Sequence, residues 1–286
     1  GTAKEAECTV LTGNVSGKLS GGWYVLKGEV TGQISTLRDG TAVNLILADG
    51  CHFKGNMNVG ISLVKQNPLN IYAQSTDTNM GRITATSITG IGISVYGQLV
   101  INGGRITSDT IQNAMKGSTT INGGIVDTTF INLGGTVNRK RGIIFENGVG
   151  TVYGDVTLSG THDIPAGYSL HIPAGASLSG CTLTGGGTYT TGNITSDMIS
   201  ADVSDLRPSA ADQSEAVKAR AALTGKAVIC GQTFTADVSG WTLDVAKKSD
   251  SEYTITYSKD RQNVSKTVTL VDCAHQYAGY AHISGT

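Results

Sequence analysis

A motif that returns at a fixed interval constrains this chain more than any other feature. Leu99-Val100-Ile101-Asn102-Gly103-Gly104-Arg105-Ile106-Thr107 recurs, 20 residues on, as Thr119-Thr120-Ile121-Asn122-Gly123-Gly124-Ile125-Val126-Asp127. A looser copy, Phe130-Ile131-Asn132-Leu133-Gly134-Gly135-Thr136-Val137, follows half an interval later. Each copy reads as strand, Asn-Gly-Gly corner, strand. Asn and Gly accept the left-handed conformation a corner needs, and the β-branched flanks suit a pleated surface. A unit this short cannot bury its apolar face alone, so successive units must stack, about 4.8 Å apart. The expected fold is all-β: a right-handed parallel β-helix, or solenoid, over residues 1–196.

Other segments share the rhythm. Val43-Asn44-Leu45-Ile46-Leu47-Ala48-Asp49-Gly50 is a strand running into an Asp-Gly turn, and Gly81-Arg82-Ile83-Thr84-Ala85-Thr86 alternates polar and apolar residues. Ile164-Pro165-Ala166-Gly167 and Ile172-Pro173-Ala174-Gly175 form another pair. The chain has 39 Gly but only 4 Pro, without a Gly-X-Y period, which favours many short strands and turns over a collagen-like chain.

The pattern changes after Gly192. Residues 197–225 read as an acidic connector followed by an Ala-rich helix over 209–223, with Ser209 suited to the N-cap and Gly225 to the end. Residues 226–286 read as a small antiparallel β module or cap, with strands expected at Val228–Ala236, Trp241–Ala246, Tyr253–Tyr257 and Thr267–Val271. Open coil ends need such cover because they expose strand edges.

Only 15% of the 286 residues are charged and the net charge is −1, so no basic face is available for a nucleic-acid backbone. No apolar run approaches the ~18 residues that span a bilayer, so no transmembrane segment is expected. Low charge with abundant Thr, Ser, Asn and Gly points to an extracellular protein, secreted or at the cell surface. The first residues lack a leader's basic and apolar regions, and the expectation is that a leader has been removed.

The stretch Gly22-Trp23-Tyr24-Val25-Leu26-Lys27-Gly28-Glu29-Val30-Thr31, followed by Val43–Cys51 and then Leu69-Asn70-Ile71-Tyr72-Ala73-Gln74-Ser75, resembles the β-helical repeat regions of large surface proteins of gut bacteria. The Ile-Asn-Gly-Gly and Ile-Pro-Ala-Gly-Ala-Ser-Leu runs resemble the same group over residues 20–180. This resemblance implies exported proteins, some labelled carbohydrate-binding. It implies no catalytic residues.

Enzymatic apparatus is sparse. Polysaccharide hydrolases need paired carboxylates and lyases a base beside a calcium-binding cluster; here the acidic residues are scattered. Asp109 and Asp127 lie about one coil apart and could share a face, although Asp beside a β-turn is ordinarily a turn residue. Arg139-Lys140-Arg141 is the one dense basic cluster and, with Asp127 a coil earlier, the candidate charged site for a uronate; its bland alternative is a solvated turn. Trp23, Tyr24, Tyr72, Tyr96, Tyr153 and Tyr168 could stack on sugars or pack in the core, and Tyr72, Tyr96 and Tyr153 are the aromatic binding candidates. The histidines lack metal-site spacing, and no cofactor motif is present. Cys8, Cys51, Cys181, Cys230 and Cys273 lack CxxC spacing; buried thiols are the simple expectation, with Cys230–Cys273 the candidate disulfide. The expected function is adhesion or glycan binding without catalysis, to a glycan or host-surface ligand, with a polysaccharide lyase, a glycoside hydrolase or a structural stalk as alternatives.

Overall fold

The 20-residue repeat becomes one coil of a parallel β-solenoid. The computed structural model describes residues 7–37, 39–55, 60–63, 67–114 and 116–272. Arg105–Asn113 runs parallel to Ile125–Leu133, with Arg105 opposite Ile125 and Ile111 opposite Ile131. Ser118–Ile121 runs parallel to Gln98–Ile101 in the same way. At the corner, Asn122 Nδ2 donates to Asn102 Oδ1 at 3.0 Å. Gly124 has φ +81°, and a Cβ there would lie 2.4 Å from the Gly104 carbonyl oxygen, so the corner requires glycine on two counts. The third, looser copy forms another corner of the same coil: Ile131 sits on the strand that begins at Ile125, and Gly134 and Gly135 lead into the next coil.

Registers run straight down the stack. Ile34, Ile61, Ile93, Ile111 and Ile131 follow one another on one face. Val30, Phe53, Ile83, Ile106, Val126 and Ile144 do so on the next, and Leu45, Ile71, Ile101 and Ile121 on the third. None of these fifteen side chains is more than 4% exposed. At about 2 kcal/mol for each buried aliphatic or Phe side chain, the columns supply the main drive for stacking.

The solenoid does not run in one direction throughout. Gly142–Glu146 pairs antiparallel with Val149–Tyr153. The link is Asn147-Gly148, with φ of +52° and +76°, the pattern of a two-residue type I′ hairpin turn. Beyond it a second stack builds: Val149–Tyr153, Ser169–Ile172 and Thr188–Thr191 pair parallel in that order. Asp155–Thr157 pairs with Ser177–Ser179, and Thr161–Asp163 with Thr182–Thr184. The two Ile-Pro-Ala-Gly segments supply turns of this stack, with Gly167 and Gly175 at positive φ.

An outward-facing column shows why the chain doubles back. It reads Glu29, His52, Arg82, Arg105, then Ile125 and Ile143. The first four are polar, and the last two would be an exposed apolar patch on a lone solenoid. Instead Ile125, Ile143 and Phe145 pack with Val152, Leu170 and Ile172 into a second core between the stacks.

Among the described residues, those up to Asn193 together with Val228–Thr235 form one compact unit, and Ile194–Ala227 with those from Ala236 onward form another. In the second unit the helix covers only Ser214–Lys218, not 209–223. Ala221–Leu223 is instead a strand, antiparallel to Ile199–Ala201; helices this short are marginal without tertiary support, and strand pairing overrides Ala's propensity. Thr242–Lys247, Glu252–Lys259 and Gln262–Thr269 form an antiparallel meander. The expected strand at 228–236 is split into Lys226–Ile229 and Gln232–Thr235 by a Cys230-Gly231 turn.

Candidate functional site

Where the two stacks of the first unit meet, their strands and turns leave recesses. One, of about 400 Å³, is lined by Thr107, Asp109, Asp127 and Thr129 from the first stack, by Asn147 and Gly148 of the reversing turn, and by Tyr168 from the second stack. Asp127 is placed by period-two alternation: Val126 and Thr128 point inward and are buried, so Asp127 points out. Tyr168 follows the Ile-Pro-Ala-Gly turn, and its hydroxyl donates to Asp127 Oδ2 at 3.3 Å. Its ring packs against Phe145 at a centroid distance of 5.4 Å. Asp109 Oδ2 accepts the Ser87 backbone N–H at 2.6 Å.

Burial pushes the Asp127 carboxyl above the ordinary carboxylate range, against the lowering influence of the Tyr168 hydroxyl and of Arg105. The Tyr168 phenol is pushed up by burial and by the Asp127 charge. Arg105 is lowered by burial, although Asp127 and Asp163 favour its charge. Arg105, Arg82, Thr161 and Asp163 line an adjoining recess of about 330 Å³. The seam thus offers carboxylate and hydroxyl acceptors beside a tyrosine, with guanidinium donors nearby. Such a set can hydrogen-bond vicinal hydroxyls and contact the apolar face of a small polar ring.

The candidate residues are distributed unevenly. Asp127 lies in the seam. Arg139 forms an ion pair with Glu146. The registers explain this: Arg139 follows Ile121, and Glu146 follows Thr128, so the pair occupies inward positions on the last coil of the first stack. A charged pair there covers the column ends instead of extending them. Lys140 is exposed, and Arg141 lines a different recess, with Asn102, Asn122 and Asp155. The structure therefore does not bring the basic run to Asp127. Tyr72 stacks on Trp23 with ring centroids 5.6 Å apart and an interplanar angle of 30°. Tyr96 is 54% exposed and Tyr153 packs against the first core. Cys273 lies outside the described residues, whereas Cys230 sits beside Cys181.

Neither a protein-family model, a curated protein nor a solved structure matches this chain. Among the described residues, no group of three or more His, Cys, Asp and Glu is placed to hold a metal ion, and no helix is long and apolar enough to cross a membrane. Sequence reasoning missed the partnership of Asp127 with Tyr168, 41 residues apart. The available signal was Asn147-Gly148 between two apolar runs, the strongest short-range mark of a hairpin; it would have folded the later coils back onto Asp127.

Proposed function

We propose that this chain is a non-catalytic glycan-binding solenoid of a secreted or cell-surface protein. The observation that carries this reading is the seam recess, where Tyr168 stands beside Asp127 and Asp109 within reach of Asn147 and Thr129. Sugars are recognised by an aromatic surface together with fixed acceptors for their hydroxyls, and the recess supplies both. The low charge and hydroxyl-rich composition agree with an extracellular setting. Trp23, 37% exposed, stacked on the half-buried Tyr72 offers a second aromatic platform.

A second reading rests on one specific feature. Asp127 is a carboxyl raised by burial, and Asp109 is a second carboxylate lining the same recess, the combination a glycoside hydrolase uses as acid and base. Asp109 is committed to the Ser87 N–H and Asp127 to Tyr168, which favours binding over turnover.

A glycan array decides between the two when it is read beside an assay for released reducing or unsaturated sugars. Binding that is lost in Tyr168→Ala, with no release of sugar, is the expected result. Cleavage abolished by Asp127→Asn would establish the hydrolase instead. Failure of every glycan class to bind would leave the seam as packing alone and overturn the proposal.

A further inference from the structure

Cys181 and Cys230 are separated by 49 residues, yet their Sγ atoms lie 3.1 Å apart. Both thiols pack at the edge of the core between the two stacks. Two hydrogen bonds hold the segments side by side: the Leu183 backbone N–H donates to the Cys230 carbonyl at 2.7 Å, and the Gln232 side-chain Nε2 donates to the Leu183 carbonyl at 2.9 Å. The backbones that carry the two thiols are therefore held together independently of the sulfur positions.

A second observation is independent of the sulfur distance. Cys230 and Gly231 form a two-residue turn with φ of +50° and +81°. The described non-glycine residues at positive φ are Asn147, Cys230 and Asp260. Asn and Asp are the side chains that tolerate this conformation, through local hydrogen bonds; cysteine has no such compensation. A cysteine standing at a position that disfavours it points to a role for its sulfur.

We infer that Cys181 and Cys230 are a disulfide site that staples the 226–235 hairpin to the strand Thr182–Thr184. The cross-link closes a loop containing the whole of residues 194–227, joining the points where the chain leaves the solenoid unit and returns to it. The reaction needs an oxidant, and a low-molecular-weight disulfide such as oxidised glutathione is sufficient. One cysteine thiolate attacks the reagent, breaking its S–S bond and releasing one small thiol. The other thiolate then displaces the second small thiol, forming the Cys181–Cys230 bond. The two cysteine protons pass to the released thiols, and two electrons pass from the protein to the reagent. Burial raises the Cys181 thiol, with the Cys230 sulfhydryl adding to the effect. That environment fits a slow-forming structural bond and not a rapid exchange centre.

The test uses the full chain, reduced and then equilibrated with glutathione redox buffer. Remaining thiols are alkylated before tryptic mapping. Cleavage after Lys226, Lys247 and Lys266 separates Cys230 from both Cys181 and Cys273, so each pairing gives a distinct linked peptide. The expected result is a mass lower by two hydrogens and one link, Cys181 to Cys230. A link from Cys230 to Cys273, or complete alkylation of all five thiols after equilibration, would overturn the assignment. Cys230→Asn keeps a residue suited to the turn and controls for misfolding. Oxidation is expected to raise the Tm of the parent chain by about 5–10 °C and to leave that of Cys230→Asn unchanged. An equal rise in both would also refute the staple.

Discussion

The Tyr168 hydroxyl reaches Asp127 at 3.3 Å and so ties a turn of the second stack to an outward position on the first. The bond exists only because the chain reverses at Asn147-Gly148, and it fixes one wall of the seam recess. Removing its donor by Tyr168→Phe should keep the ring against Phe145 while loosening Asp127. We expect glycan affinity to fall by roughly fivefold to tenfold for Phe, about the worth of one ordinary hydrogen bond, and further for Ala. Titration calorimetry with an array-selected glycan measures both.

Asp127 gives stability a pH dependence of defined sign. Its folded pKa is raised, chiefly by burial. Its contribution is therefore fully present below the unfolded value of about 4 and is lost as pH rises through the folded value. Asp127→Asn should melt higher than the parent near neutral pH, with the difference vanishing below about pH 4. Thermal melts across that range give the answer; a variant less stable at neutral pH would show that Arg105 outweighs burial.

His162 acts in the opposite sense. It is 2% exposed, donates through Nε2 to the Ser159 carbonyl at 2.9 Å, and has its pKa lowered by burial. The stability contributed by its neutral form is present above 6.5, the ordinary histidine value, and lost as pH falls through the lower folded value. His162→Leu, matching its register partner Leu183, should flatten the loss of stability below about pH 6.5.

Two glycine substitutions separate strain from crowding. Gly167 has φ +87° with open space around the would-be Cβ, so Gly167→Ala should cost about 1 kcal/mol. Gly124 has φ +81° and a neighbouring carbonyl oxygen 2.4 Å from its would-be Cβ. Gly124→Ala should cost roughly 3 kcal/mol or more, because the coil must also move apart. Urea denaturation of the two variants makes the comparison.

The ion pair at the end of the first stack should matter for stability and not for binding. Arg139 and Glu146 side chains are 23% and 35% exposed, so Arg139→Ala, which leaves the half-buried Glu146 carboxylate without its partner, should cost about 1–3 kcal/mol. It should also leave glycan binding unchanged, since Arg139 does not line the seam recess. Loss of binding in Arg139→Ala would return the basic run to the site.

The coil was legible in the sequence because it is a local device repeated. Asn102 and Asn122 mark the corner, and the alternation around Ile83, Ile106 and Val126 marks the inward face, so strand length and spacing follow from period-two patterning. The binding candidates were less legible. Asp127 stood out as a carboxylate one coil from Asp109, but its partner Tyr168 was one tyrosine among several. Arg139 looked like half of a charged site, whereas its position after Ile121 in the column makes it part of a cap.

By itself, then, the sequence determined that this chain stacks short coils on isoleucine-rich columns, since a coil of this size has no other way to bury its apolar residues. The tertiary structure decided that the stack turns back on itself, that Ile125 and Ile143 become core although they point outward, and that Tyr168 meets Asp127 and Cys181 meets Cys230. Those contacts join residues tens of positions apart, and no local pattern encodes which distant surface will cover an exposed face. That choice is made by the apolar area left over when the first stack is complete, and by the two-residue turn that lets the chain return to bury it.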